Sequence, residues 1–402
     1  MKIAIVSDIH LGYDRFAEDA YKQANEAFEM AGEVADAILV PGDVFDKRYP
    51  KPEIIAQAIN IFRELSKKDW GASVSEFIGN GKIFTNVPII AIPGTHERIA
   101  EGRDNALRLL SLAGLLVDTS EATTVLQKGK EKVAVFGLGG LSEEMAKGKI
   151  AELAPKPVEG AFNIFMFHQS VYEILPFSDS FMHYSDLPKG FDLYVCGHIH
   201  SSIKVIVNGK PFLIPGSTVI TQLKDQEQEK KGFILFDTQD SSYNFIQINS
   251  RPFISKKLHF EGAAPKEIIE KTEDEIKSII SNENCKPIIK IKIEGSLSPG
   301  FSNSDIRMRT IESSYSKDAF LSIDMSQLVD QESEARIEEV REGKVGSLPI
   351  KELGMLTFLS KLEKAGVNKS IDYDKLFNIL SGHESKEKVI KSSIELLFKG
   401  ES

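Results

Sequence analysis

Cysteine is nearly missing from this chain: 402 residues hold only two, Cys196 and Cys285. Two thiols so far apart, with no metal-ligand spacing around either, exclude a disulfide framework and point to a reducing compartment. The cytoplasm is the expected location, nucleoid-associated if the source is prokaryotic. Long apolar runs are missing too. None approaches the roughly 18 residues of a membrane-crossing helix, so no membrane partner is expected, and no secretory apolar region follows Met1-Lys2. Positive charge is in short supply. Forty-nine Lys plus Arg stand against 59 Asp plus Glu, a net charge of −10. That balance argues against a simple basic nucleic-acid coat protein, although bound divalent cations would reverse the local sign. There is no Walker A loop and no Gly-x-Ser-x-Gly elbow, so neither ATP hydrolysis nor a serine nucleophile is expected. Gly137-Leu138-Gly139-Gly140 has Ser142 where a dinucleotide fingerprint needs a third glycine, and reads as a turn.

What the chain does have is an alternation of short β-rich runs and helical stretches over residues 1–251, the pattern of an α/β layered domain. Strands are expected at 2–7, 37–41, 88–92, 132–137, 163–167, 192–196, 202–207, 211–214, 232–237 and 243–249, with helices at 16–35, 53–67 and 103–113. Helices become scarce after residue 155 while strands crowd together. The expected fold is therefore a two-sheet sandwich flanked by helices and not a doubly wound parallel sheet. Residues 252–328 predict a small αβ domain, with strands at 256–260, 287–294 and 320–325 and helices at 265–281 and 304–314, the first opened by Pro265. Residues 329–349, dense in Glu, Arg, Lys and Gly, read as a linker. Residues 350–402 return to helical spacing, as in Leu376, Ile379 and Leu380 and in Ile390, Ile394 and Leu397. A tail with so little core of its own either docks on a partner or packs back on its own chain.

Of the eight histidines, five stand at or just after the carboxyl end of an expected strand: His10, His96, His168, His198 and His200. Loops there are where α/β enzymes place their sites. Asp8 and His10 are two apart on an extended segment and point the same way. Asp43 follows its strand after Gly42, which permits a sharp exit, and His198 and His200 are again two apart. Carboxylates mixed with imidazoles suit Mn²⁺, Fe²⁺ or Zn²⁺ better than the all-oxygen shells of Ca²⁺ or Mg²⁺. Basic residues cluster after the second motif (Lys47, Arg48, Lys51), after the third (Arg98, Arg103) and later (Lys224, Lys230, Lys231). Most such charges are solvated loop residues, but the first two groups follow metal motifs and are candidates for phosphate contact without base readout.

The set Asp8-Ile9-His10, Gly42-Asp43-Val44-Phe45-Asp46, Gly94-Thr95-His96-Glu97, His168 and Gly197-His198-Ile199-His200 resembles the calcineurin-like metallophosphoesterase superfamily. Within it, Ser7-Asp8-Ile9-His10-Leu11-Gly12-Tyr13 and Pro215-Gly216-Ser217 resemble the nuclease subunit of DNA double-strand-break repair, SbcD in bacteria and the Mre-eleven type in archaea and eukaryotes. The resemblance implies a manganese-dependent 3′ to 5′ double-strand exonuclease and single-strand endonuclease holding two Mn²⁺. It implies a homodimer acting on DNA ends with a coiled-coil ABC-type ATPase of the Rad-fifty or SbcC type. Residues 1–251 would be the nuclease domain, 252–328 a capping domain and 350–402 the ATPase-docking helices. By the same resemblance Asp8, His10, Asp43 and His200 hold one ion. Asp43, His168, His198 and the residue at 95 hold the other, and His96 steers the phosphate or protonates the leaving group. Asp46 is expected near the phosphate path or behind the ligands, and not as a primary ligand. Other readings are a phosphatase or cyclic-nucleotide phosphodiesterase of the same superfamily, and an end-bridging scaffold with reduced nuclease activity.

The chain departs from the family pattern at position 95, where Thr95 replaces an asparagine whose amide oxygen is a ligand. A threonine hydroxyl is shorter and a poorer donor, so the second ion is expected to be held more weakly. Titrating Mn²⁺ into the native chain and into Thr95→Asn should give tighter second-site binding in the variant; equal or weaker binding there counts against this reading.

Overall fold

The computed structural model describes residues 1–79, 82–98, 103–176 and 182–329. The tail expected at 350–402 and the linker from 330 on lie outside the described residues. The chain begins β1 (Lys2–Ile5), α1 (Ala17–Val34), β2 (Ala37–Pro41), α2 (Pro52–Ser66), β3 (Ser73–Ile78), β4 (Ile89–Ile92), α3 (Ala106–Leu112) and β5 (Val117–Asp118). It continues β6 (Thr123–Lys128), β7 (Glu131–Leu138), α4 (Glu143–Leu153), β8 (Phe162–Phe167), β9 (Leu193–Cys196), β10 (Ile203–Val207), β11 (Lys210–Ile214), β12 (Gly232–Asp237) and β13 (Tyr243–Gln247). Last come β14 (Phe253–Ala263), α5 (Pro265–Asn282), β15 (Ile288–Leu297), α6 (Met308–Ser314) and β16 (Phe320–Val329).

Two mixed sheets carry the first part of the chain. One has six strands in the order β13-β12-β1-β2-β4-β5, and the other seven in the order β10-β11-β9-β8-β7-β6-β3. In the first, β1, β2, β4 and β5 are parallel; in the second, β7, β8, β9 and β11 are. Alternation along each strand sorts its side chains between two apolar layers. Ile3 and Ile5 of β1 join Leu39, Ile90 and Ile92 against Val133, Val135, Ile164, Met166 and Val195 between the sheets. Ala4, Val6, Ile38 and Val40 face the other way, onto Phe28 of α1, Phe62 of α2 and Leu107 of α3. The outer face of the second sheet packs Phe136, Phe165, Phe167 and Phe212 beneath Ile150 of α4 and Met182. The expected sandwich of mixed sheets flanked by helices is thus present. A third sheet runs β14-β15-β16.

The chain divides into two compact units. The first comprises Met1–Leu258, Glu270–Lys292 and Met308–Asp324; the second comprises His259–Ile269, Ile293–Arg307 and residues from Met325 on. In the second, the Ser298 hydroxyl donates to the Gly262 carbonyl at 2.6 Å and the Ser302 N–H donates to Asp305 Oδ2 at 2.8 Å, closing the turn Asn303–Asp305.

Within the first unit, Arg251 joins three stretches distant in sequence. Its Nη2 donates to Asp19 Oδ1 on α1 at 2.6 Å, its Nη1 donates to the Lys286 carbonyl before β15, and its guanidinium lies 5.1 Å from the Phe320 ring centroid. Such a bidentate, partly buried pair is worth far more than a surface pair, because removing one partner strands the other charge. Arg251→Ala should cost about 2 kcal/mol, read as a lower urea midpoint at unchanged slope; a midpoint equal to that of the native chain refutes the role.

Candidate metal centre

Loops leaving the carboxyl ends of β1, β2, β4, β8 and β9 meet in one place. They bring Asp8 and His10, then Asp43 and Asp46, then Thr95, His96 and Glu97, then His168, and finally His198 and His200. The backbone there is forced into an uncommon region. Asp8, His10, Asp43 and His198 have φ of 50°, 45°, 49° and 77°, a left-handed conformation that Asp and His tolerate better than most side chains. The His10 N–H donates to the Asp43 carbonyl at 3.1 Å and the Leu11 N–H to the Val44 carbonyl at 2.9 Å, locking the first two loops together. Glycines allow the close approach. A Cβ on Gly94 would stand 2.1 Å from Asp43 Oδ1, and one on Gly197 would stand 2.0 Å from the Pro41 carbonyl oxygen. Gly139 and Gly140, which read as a turn, are in fact a tight backbone contact, since a Cβ on Gly140 would fall 2.6 Å from the Thr95 nitrogen.

Two groups of ligand atoms result, Asp8 with His10 and His200, and Asp43 with His168 and His198, each within 4.8 Å of one another. His10 Nε2 faces His200 Nε2 at 3.1 Å, and His200 Nε2 is 3.9 Å from Asp8 Oδ1. In the second group His168 Nε2 lies 3.1 Å from Asp43 Oδ2. His168 Nδ1 lies 2.8 Å from the Pro41 carbonyl oxygen, an acceptor only, so Nδ1 carries a proton. His168 Nε2 and His10 Nδ1 are both buried without a hydrogen-bond partner. A neutral His168 would therefore point a lone pair at a carboxylate, which is repulsive unless a cation lies between them. The donor set and these orphaned nitrogens fit divalent metal ions.

Thr95 sits where the sequence placed it, with its hydroxyl donating to Asp43 Oδ2 at 3.4 Å. His96 donates its backbone N–H to Asp43 Oδ1 at 2.9 Å, while its half-exposed ring is held through Nδ1 by the Asp46 carbonyl at 2.6 Å. Asp46 Oδ1 also lies 3.3 Å from His10 Nδ1, so Asp46, His10 and His96 form a third group that shares His10 with the first. Asp43, His96, His198 and His200 line a cleft of about 580 Å³ whose lining also includes Ile174, Ile199 and Ile203. Lys47, Arg48, Lys51, Arg98 and Arg103 are all exposed outside these groups, and Lys47 is paired with Asp14.

Three residues had no assigned role in the sequence reading. Glu97 is buried and accepts from the N–H groups of Phe45 at 3.0 Å and Gly94 at 2.8 Å, tying the second and third loops together. Glu227 and Lys231 form a buried pair behind His200. Lys231, grouped in sequence with solvated loop lysines, is only 3% exposed. Its position immediately before β12, four residues after Glu227, was the available signal.

Burial and charge pull these groups apart. Burial opposes the His168 imidazolium, yet Asp43 beside it pushes its pKa up to about 9. Burial also works against ionised Asp43, but His168 and His10 hold that carboxyl well below the carboxylate range. Burial, and then the neighbouring Asp43, push Glu97 up to about 8, whereas burial and then His168 hold His198 down to about 3.

Comparison with known proteins is consistent with this geometry. The family model for calcineurin-like phosphoesterases matches residues 1–202. The chain is 27% identical to the DNA double-strand break repair protein Mre11 of Sulfolobus acidocaldarius, over 74% of this chain and 76% of that protein. It is 28% identical to the protein of the same name from Saccharolobus solfataricus, over 73% and 75%. The human double-strand break repair protein MRE11 is 28% identical over 61% of this chain and 40% of its own length. Among the described residues no helix is long and apolar enough to cross a membrane.

A proton and a metal ion compete for the His168–Asp43 gap. In the metal-free chain the raised His168 pKa contributes stability that is full below its ordinary 6.5 and lost as pH climbs through about 9. Glu97, ordinarily 4.5 and raised to about 8, changes in the same direction over a lower window. His198 has the opposite sign, adding stability above 6.5 that is lost in acid, so it does not mask the alkaline fall. Melting curves in chelator should therefore drop between pH 6.5 and 9, and saturating Mn²⁺ should flatten that drop. Parallel curves with and without the ion would refute the competition.

Proposed function

The chain belongs to the calcineurin-like phosphoesterase family, and from that premise we propose that it is a DNA-end nuclease of double-strand-break repair, hydrolysing phosphodiesters with two Mn²⁺. One observation carries the choice of nuclease over the family's other phosphoesterases: the similarity to the two archaeal repair proteins extends over nearly three quarters of this chain, well past the residue at which the family match ends.

In this reading Asp8, His10, Asp43 and His200 hold one ion, and Asp43, His168, His198 and Thr95 hold the other. Such a pair supplies an activated water and charge neutralisation at the phosphate and the leaving oxygen. Asp43 has one carboxylate oxygen near His168 and the other fixed by the His96 N–H. His96 does the proton work. Its Nδ1 carries a proton donated to the Asp46 carbonyl, so it is the doubly protonated ring whose Nε2–H donates to a phosphate oxygen or passes its proton to the departing alkoxide. The exposed Arg48, Lys51, Arg98 and Arg103, with Lys47, contact backbone phosphates without reading sequence.

The family resemblance extends the proposal to partners and architecture. Residues 252–328 act as the capping region, the chain works as a homodimer, and the helical periodicity of 350–402 serves to dock a coiled-coil ABC-type ATPase.

End-labelled duplex DNA and p-nitrophenyl phosphate esters, each incubated with Mn²⁺ and the native chain, Asp8→Ala or His96→Ala, separate the alternatives. Metal-dependent trimming of the duplex that Asp8→Ala abolishes and His96→Ala lowers by at least about 100-fold is the expected result. Ester hydrolysis with intact DNA would replace the nuclease with a phosphatase or small-molecule phosphodiesterase. DNA binding with neither activity would leave a scaffold.

A further inference from the structure

The loop between β11 and β12 carries a charge pair that the proposed chemistry does not use. Glu227 and Lys231 each have side chains only 4% exposed and meet at 3.2 Å. Glu227 accepts the backbone N–H groups of Thr221 at 3.0 Å and Gln222 at 2.9 Å. Lys231 donates to Ser217 Oγ at 3.0 Å and to the His200 carbonyl at 3.2 Å. The pair thus grips the backbone of one metal-site residue and the loop that faces its ring.

The ring itself is engaged along its Nδ1 edge. Thr221 Oγ1 donates to Glu227 Oε1 at 3.2 Å and is in hydrogen-bond contact with His200 Nδ1, while Glu227 Oε1 lies 3.4 Å from the same nitrogen. A hydroxyl whose proton is committed to a carboxylate can only accept from the ring. The His200 proton therefore belongs on Nδ1, and Nε2, 3.1 Å from His10 Nε2, is left with its lone pair. The loop is also anchored from its far side, where Lys290 donates to the Leu223 carbonyl at 2.7 Å and Lys292 pairs with Asp225 at 2.7 Å.

We propose that Thr221 and Glu227 are positioning residues that lock His200 in its Nδ1–H tautomer and aim Nε2 at the ion shared with Asp8 and His10. Lys231 balances the Glu227 charge and pins the His200 backbone. A carboxylate acting behind a histidine ligand raises its basicity and removes its rotational freedom. This inference rests on the metal-dependent reading of the site.

The test uses the full chain, with Mn²⁺ as the probe in calorimetry and long-range ¹H–¹⁵N NMR of the metal-free protein to read the His200 tautomer. Thr221→Val keeps the side-chain shape and the Glu227–Lys231 pair but removes the hydroxyl. Glu227→Asp keeps the charge but withdraws the oxygen. Both should weaken one of the two Mn²⁺ sites by about tenfold or more and mix the His200 tautomers, while Thr221→Ser restores the native values. Native affinity at both sites together with an unmixed Nδ1–H signal in the two variants would overturn the positioning role. A native chain that binds no Mn²⁺ would overturn the metal reading on which it stands.

Discussion

Three carboxylates, Asp8, Asp43 and Glu97, are buried within a single site, and no apolar interior accepts such charge uncompensated. Much of the surrounding structure answers that constraint. Backbone N–H groups of His198 and His96 are spent on Asp8 and Asp43, and those of Phe45 and Gly94 on Glu97. Imidazoles fill the space between, and burial together with Asp43 favours the neutral form of Glu97. What remains is a concentration of negative charge and ring nitrogens, which divalent cations complete.

The two sheets make that concentration achievable. Parallel strands deliver their carboxyl ends to one edge, so residues from five loops converge although about 190 positions separate His10 from His200 in the chain. The strands that lead into the site, β1, β2, β4, β8 and β9, are buried in apolar layers almost throughout, which lets the loops at their ends hold conformations they would not adopt alone. The apolar scaffold and the polar site are therefore one design: the first supplies rigidity, the second spends it.

The sequence made the scaffold readable where alternation was strong. Strands β2 and β12 begin and end where expected, and α1 and α2 lie within one residue of expectation at either end. Three strands were not expected: β3, whose run Ser73–Ile78 is mostly exposed along one edge, β5, which is only two residues long, and β6, where Thr123–Lys128 opens with two threonines and has little apolar run. In α4 the interior Gly148 and an apolar face of only Ala146 and Ile150 weaken the helical signal, despite the favourable glutamates of its first turn. The clustering of Asp and His side chains was legible because these residues recur just after strand ends. Glu227, Lys231 and Thr221 were not, because their role depends on a fold-back onto His200 that no local spacing encodes. Lys231 in particular looked solvated beside Lys230, and only tertiary packing shows that it is enclosed.

The left-handed backbone at Asp8, His10, Asp43 and His198 bears on how this centre can change over evolutionary time. Besides glycine, the side chains that tolerate such a conformation are chiefly Asn, Asp and His. The residues that this backbone favours besides glycine therefore all carry an oxygen or nitrogen donor. Neutral drift at these four positions has few exits: glycine keeps the turn and loses the donor, and most other replacements strain the turn. A lineage can swap one oxygen or nitrogen donor for another, or lose the centre altogether, but it has little room to wander between those ends.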